Sequence, residues 1–314
     1  MIMKSNMIRQ PPTDQPFDVA IIGGNFAGMA AALYLLRARR RVVVFDDGQH
    51  RNRFSAHSHG FLGQDGVSPD QIRVTGLADL RCNLTFDLRE VRVDGVSSAL
   101  GEFAVAWDGG AISARRAILA TGQRDLLPEA PGLAECWGKT ANTCPYCHGY
   151  GLADLPTGIL LDDHPHAGMY LRQVRRWAGA LTVFDNGAVL DPQTVALMAD
   201  LGVVHASGPL AGLRHEEGVL HSIAVTDGPV VPQRALYLGT KTTPAAPFAA
   251  LMGCERADSH TGPVVKVDSW QRTTVPGGFA AGDLARGMPT ATFASASGAS
   301  AGIGCDMEFA GLLP

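Results

Sequence analysis

No stretch of this 314-residue chain sustains the ~18 consecutive apolar residues that a membrane-spanning helix needs. The first sixteen residues, MIMKSNMIRQPPTDQP, are polar and proline-rich and lack the apolar core of a signal peptide. They read as a frayed extension, and a cytoplasmic location is expected, where structural disulfides are disfavoured. Charge is sparse: 26 Lys and Arg against 30 Asp and Glu leave −4 at pH 7, with no basic excess to hold nucleic acid or a membrane surface. Cysteine is scarce as well. Of six, Cys82, Cys136, Cys254 and Cys305 stand alone and read as small buried hydrophobes. Short-period repeats and low-complexity tracts are absent. What remains is a chain rich in apolar residues (46%) and glycine (37 residues), long enough for two compact domains full of tight turns.

The stretch FDVAIIGGNFAGMAAALYLLRARRRVVVFDDG (17–48) reads as strand, turn, helix, strand. Phe17 to Ile22 is an apolar run suited to a buried parallel strand, and the basic run Arg37, Arg39, Arg40, Arg41 suits a helix C-terminus. Gly23, Gly24 and Gly28 stand where a G-x-G-x-x-G loop brings backbone N–H groups close to a pyrophosphate, with Asn25 replacing the middle glycine. Asp46 ends the second strand, where a carboxylate meets a ribose hydroxyl. Together these features point to a dinucleotide site. A second strand–helix–strand pattern follows at 157–163, 167–179 and 180–187. The segments 114–122 and 275–285 read as strands ending in glycine turns, further strands of the N-terminal sheet. The expected organisation is a discontinuous first domain, 1–124 with 241–314, around an inserted domain, 125–240.

TCPYCHGYG (143–151) holds the one close cysteine pair. C-x-x-C-H attaches haem in exported proteins, but no export signal is seen. A structural zinc needs two further ligands, and the other cysteines are scattered singles. His164 and His166 read as solvated loop residues, so no metal is expected. A redox dithiol remains: Cys144 and Cys147 can close a small disulfide ring, and His148 can exchange protons near neutral pH. The plainer alternative for His148 is a structural side chain bonded to backbone.

The middle unit lacks what a pyridine nucleotide needs. Its loop, LLDDHPHAGMYL, has one glycine, Gly168, while Pro165 removes a donor and Asp162 and Asp163 would repel a pyrophosphate. From Asp185 to Ala211 there is no Lys or Arg to select a 2′-phosphate. Asp185 alone could hold an NADH ribose. The expectation is a nucleotide fold that has lost its nucleotide.

The ordered set IIGGNFAG, ILATG, CPYC and FAAGD resembles the thioredoxin reductase-like flavoproteins from about Phe17 to the C-terminus. The resemblance implies an α/β protein of two Rossmann-like doubly wound domains, with FAD in the first and a homodimeric assembly. It places Gly23, Gly24, Asn25, Phe26, Ala27 and Gly28 at the pyrophosphate and Asp46 and Asp47 at the ribose. Thr121 and Gly122 fall at the third turn, and Gly282 and Asp283 at the ribityl chain and phosphate. Thr290 and Ala291 lie in the segment 288–304, read as a small-residue helix whose N-terminus would point at the flavin ring. From the loop 51–66, Arg53 and His59 are expected at the cofactor, with His57 as a further contact; for His57 and His59 alike the alternative is a plain loop histidine. Cys147 would face the flavin and Cys144 would exchange with substrate. Thioredoxin reductases carry an acid after the second cysteine. His148 in that place resembles the FAD-dependent dithiol oxidases of the gliotoxin and holomycin type, which close disulfides in natural products and pass electrons to O2. Two rival readings remain open: a disulfide reductase fed by ferredoxin or NAD(P)H, and a flavin-bearing redox sensor.

Overall fold

The computed structural model describes residues 16–99, 101–162 and 166–313. The N-terminal extension and the loop residues Asp163, His164 and Pro165, on which part of the lost-nucleotide expectation rests, lie outside them. The chain divides into two compact units: one built from the chain up to Arg51, Asp70–Arg124 and the chain from Thr242, the other from Asn52–Pro69 and Asp125–Lys241. Both are α/β.

In the first unit, Val42–Phe45 has no polar side chain and is buried along its length, as a parallel strand covered on both faces requires. It sits in a seven-stranded sheet whose order begins Phe86–Arg89, Val42–Phe45, Phe17–Ile22, Gly110–Leu119. The first half of the long strand Gly110–Leu119 pairs antiparallel with Glu102–Trp107, and its last three residues pair parallel with Gly278–Ala280. The parallel part is the doubly wound arrangement: these strands run parallel, and the strand order reverses between Phe17–Ile22 and Gly110–Leu119. Open α/β sheets bind ligands at that point, beyond the carboxyl ends of the strands.

Two helices lie against each other here, Phe26–Arg37 and Ala291–Phe309. Glycine permits their close approach: a Cβ on Gly298 would run into the Ala27 backbone, and one on Gly302 into that of Ala31. The helix expected from residue 288 begins at Ala291, where the Thr290 hydroxyl accepts the Phe293 N–H (3.0 Å) and caps it.

The second unit repeats the theme. Thr157–Leu160, Leu181–Phe184, Val204–Ala206, Ala235–Leu238 and Ala141–Asn142 form a five-stranded parallel sheet, beside a three-stranded antiparallel sheet over 210–232. Its helix Ala167–Val174 stops five residues short of the expected end, where the chain tightens into i→i−3 bonds from the Arg176 N–H to the Gln173 carbonyl and from the Trp177 N–H to the Val174 carbonyl. The sequence places 52–69 in the first domain, but the chain packs it with the second unit. The contacts responsible are local to that unit: Phe54 rests on Gly138, and the Ser55 hydroxyl bonds the Gly138 carbonyl (3.1 Å). No helix among the described residues is long and apolar enough to cross a membrane.

Gly298→Ala should therefore push the two helices apart and cost about 1–3 kcal/mol in urea unfolding. Gly95→Ala, where an added methyl meets nothing within 4 Å, should stay within about 0.5 kcal/mol of wild type.

Candidate functional site

In the first unit the turn after Phe17–Ile22 is closed by backbone. Gly23 has φ +109°, and a Cβ there would meet the Ala120 carbonyl; one on Gly28 would meet the Gly23 carbonyl, and one on Gly24 the Asp46 side chain. Asn25 stands at the N-cap in extended conformation but makes no side-chain cap, and the first helical turn carries no acid. Phe26, Ala27 and Gly28 are buried at the start of that helix. A tight glycine turn at the positive end of a helix dipole is the chemistry of an anion site. Across it, Thr121 and Gly122 (φ +70°) leave the neighbouring strand, and Gly282 (φ +72°) follows Gly278–Ala280 with its N–H bonded to Ser297 Oγ (2.8 Å).

Asp46 is buried at the end of the second strand as expected. Its Oδ1 accepts the Gly48 N–H (3.1 Å), and its Oδ2 takes Arg73 Nε (2.9 Å) and Nη2 (2.5 Å). Asp47 faces solvent and accepts the Gln49 N–H (3.0 Å). Asp283 is paired with Arg51 at 3.0 Å. Arg51 and Arg73 carry no motif, and sequence reasoning missed both. Arg53 and His59, expected at the cofactor, lie in the segment that packs with the second unit. There Arg53 covers the Phe54 ring (4.1 Å to its centroid) and His59 Nδ1 stands 3.4 Å from Asp65, while His57 Nδ1 bonds the Gly66 carbonyl (3.0 Å).

In the second unit Cys144 and Cys147 form a disulfide, with Cα atoms 5.3 Å apart. Local chemistry makes this geometry. Pro145 starts a single helical turn, Pro145–His148, for which its fixed φ is preset, and Cys144 caps it, its sulfur accepting the Cys147 N–H (3.2 Å). Tyr170 anchors the approach: its buried hydroxyl donates to the Thr143 carbonyl (2.8 Å). Tyr146 is exposed, its ring edge-on to Trp177 at 5.5 Å.

His148 is half-buried behind the disulfide. Its Nε2 lies 3.3 Å from Ser55 Oγ, and its Nδ1 is buried without a hydrogen bond among the described residues. Burial pushes its pKa below the ordinary value; the Cys144 carbonyl opposes that, and His59 adds to it. Burial thus favours the neutral imidazole, whose neighbours are a side-chain hydroxyl and, as the plainer alternative expects, a backbone carbonyl, that of Cys144.

At the end of the second strand of this unit, Asp185 is buried. Its Oδ1 accepts the Gly187 (2.9 Å) and Gly208 (2.8 Å) N–H groups, and His205 Nε2 sits 2.9 Å from Oδ2. Burial alone would raise its pKa, but hydrogen bonds from Ser207, Gly208, Gly187 and His205 outweigh that and hold it low. Those four donors match the roughly four lone-pair sites of a carboxylate.

Of the single cysteines, Cys136, Cys254 and Cys305 are buried, and burial raises all three thiols. Cys82 departs from expectation. It is exposed just past the helix Pro69–Arg81, its sulfur 3.4 Å from the Ala78 carbonyl, because the helix end turns outward there. No group of three potential ligands suited to a metal ion occurs among the described residues.

Residues 17–162 match the family of pyridine nucleotide-disulphide oxidoreductases. The thioredoxin reductase aclD of Aspergillus oryzae is 31% identical, over 94% of this chain and 96% of its own length. This chain belongs to the thioredoxin reductase-like oxidoreductases. An oxidoreductase from Agrobacterium tumefaciens superposes with a TM-score of 0.88 at 35% identity, covering 94% of this chain and 99% of the other. The structure of HlmI does so at 0.87 and 31%, covering 95% and 93%. The family's cofactor is FAD, and the chain fits it at the first glycine turn, where only glycine at 23, 24 and 28 lets the turn close against Ala120, Asp46 and its own backbone at a helix N-terminus.

A depressed histidine pKa binds protons less readily in the folded state than in the unfolded one. Stability tied to His148 is therefore present above about pH 6.5 and lost as the pH falls below it. Urea midpoints at pH 7.5 and 5.5 should fall further for wild type than for His148→Gln; equal losses would show that this imidazole is not the group responsible.

Proposed function

We propose that this thioredoxin reductase-like protein is an FAD-dependent dithiol oxidase that closes an intramolecular disulfide in a small-molecule dithiol of natural-product type, with O2 as the acceptor. The observation that carries this reading is the Cys144–Cys147 disulfide with His148 beside it, in a unit whose sequence offers one glycine, Gly168, where a nucleotide loop would stand, and whose Asp185 is bonded to Gly187, Gly208, Ser207 and His205. Similarity to HlmI and to the A. oryzae protein supports thiol–disulfide chemistry on this scaffold.

A substrate thiol gives its proton to His148, and the thiolate attacks Cys144. The Cys144–Cys147 bond breaks, Cys147 leaves as thiolate, and a mixed disulfide joins substrate to Cys144. The second substrate thiol loses its proton and attacks the substrate sulfur of that bond. This expels Cys144 and releases the product disulfide. Two electrons have moved from substrate to the cysteine pair, and the two thiol protons have gone to His148 and to the released thiolates. FAD, when bound, would supply the two-electron acceptor for the reduced cysteine pair, with O2 as the final acceptor and H2O2 as its product. Gly23, Gly24, Asn25, Phe26, Ala27 and Gly28 would hold its pyrophosphate, Asp46 and Asp47 its ribose, and Gly282 and Asp283 its ribityl region. Thr121, Gly122, Thr290 and Ala291 would line the ring side, with Arg53 and His59 as further contacts. A homodimer in the cytoplasm is the assembly and setting that accompany this reading.

Supplied with dithiothreitol in air, the holoenzyme should consume O2 and form H2O2, one for each disulfide made. Cys144→Ser should lower turnover at least a hundredfold. Undiminished turnover in that variant, or disulfide formation without H2O2, would remove the proposed exchange role or the proposed acceptor.

A further inference from the structure

We propose that Ser55 is a positioning residue that fixes which nitrogen of His148 carries the exchangeable proton; this rests on the reading of His148 as the base. The hydroxyl of Ser55 stands between two groups, the Gly138 carbonyl at 3.1 Å and His148 Nε2 at 3.3 Å. A serine hydroxyl has one proton and two lone pairs, whereas a carbonyl can only accept. The proton therefore points to Gly138, and Ser55 offers a lone pair to His148. Only Nε2–H can answer it. The neutral ring is then the Nε2–H tautomer, and the nitrogen left with a lone pair is Nδ1, the buried one with no hydrogen bond among the described residues. When Nδ1 takes a proton, Nε2–H need not change partner, so the base works without rearranging its support. The bond on one ring nitrogen sets the chemistry of the other.

The chain builds this contact deliberately. The turn Arg51–Phe54 ends with the Ser55 N–H on the Asn52 carbonyl (3.1 Å). Phe54 then lies against residue 138, which must be glycine: its φ is +73°, and a Cβ there would strike the Phe54 side chain. The Gly138 N–H is tied to the Ala141 carbonyl (2.9 Å), which fixes the carbonyl that orients Ser55. Besides the dithiol, the titratable side chain that acts on His148 is His59, and it opposes a positive charge there. Among the described residues no carboxylate pairs with His148; the Cys144 carbonyl also acts on the ring, and Ser55 is its side-chain hydrogen-bond partner.

The test uses the holoenzyme with dithiothreitol as the probe. Wild type, Ser55→Ala, Ser55→Thr and His148→Gln are compared by the anaerobic rate of flavin bleaching between pH 6 and 9, alongside flavin content and thermal midpoint. The 15N shifts of the His148 ring in histidine-labelled protein read the tautomer independently of turnover. Wild type should show Nε2 protonated and Nδ1 bare. Ser55→Ala should mix the tautomers, slow bleaching about tenfold and displace the pH profile at unchanged flavin content. Ser55→Thr, which keeps the hydroxyl, should restore all three. A bare Nε2 in wild type, or a Ser55→Ala protein with wild-type tautomer, rate and pH profile, overturns the proposal. A His148→Gln protein that bleaches at the wild-type rate would instead remove His148 as the base, while the ring shifts would still decide the tautomer.

Discussion

A buried carboxylate must find its hydrogen-bond donors somewhere, and Asp185 finds them within its own chain. Gly187 and Gly208 supply backbone N–H groups, and His205 and Ser207 supply side chains from the next strand and the turn beyond it. A fold of this type uses the same carboxylate to hold a nucleotide's ribose. Here the position keeps its acid but spends it on the protein. The proposed entry of electrons through the dithiol accords with that, since Cys144 and Cys147 belong to the same unit.

The two units carry similar strand order to different ends. In the first, glycine brings backbone to backbone where the strand order reverses, and Gly23 and Gly28 leave no room for a side chain. In the second, the helix after the corresponding strand anchors the dithiol, through the Tyr170 hydroxyl on the Thr143 carbonyl. One nucleotide fold cradles an anion, and the other supports a pair of cysteines.

Much of this was legible in sequence, because local rules governed it. A buried apolar strand, a glycine turn, an alanine-rich helix and a terminal acid announce the first unit, and Pro145 between two cysteines announces a preset turn. The missing glycines of the second loop were equally plain, though Asp163, His164 and Pro165 lie outside the described residues. What could not be read were contacts between residues far apart in the chain. Arg73 reaches Asp46 and Arg51 reaches Asp283 through side chains with no positional signature. The same limit hid Ser55, 93 residues from His148, and with it the packing of 52–69 against the dithiol unit rather than the glycine turn. Cys82 read as buried because isolated cysteines usually are, but its place past a helix end turns it outward.

The central claim is that electrons enter through Cys144 and Cys147 and not from a nicotinamide. Rapid anaerobic mixing of the flavin-loaded protein with NADPH, with NADH and with a small dithiol, followed in the visible flavin band, tests it most directly. The account predicts bleaching by the dithiol and an unchanged spectrum with either nucleotide. Fast bleaching by NADPH or NADH would contradict it.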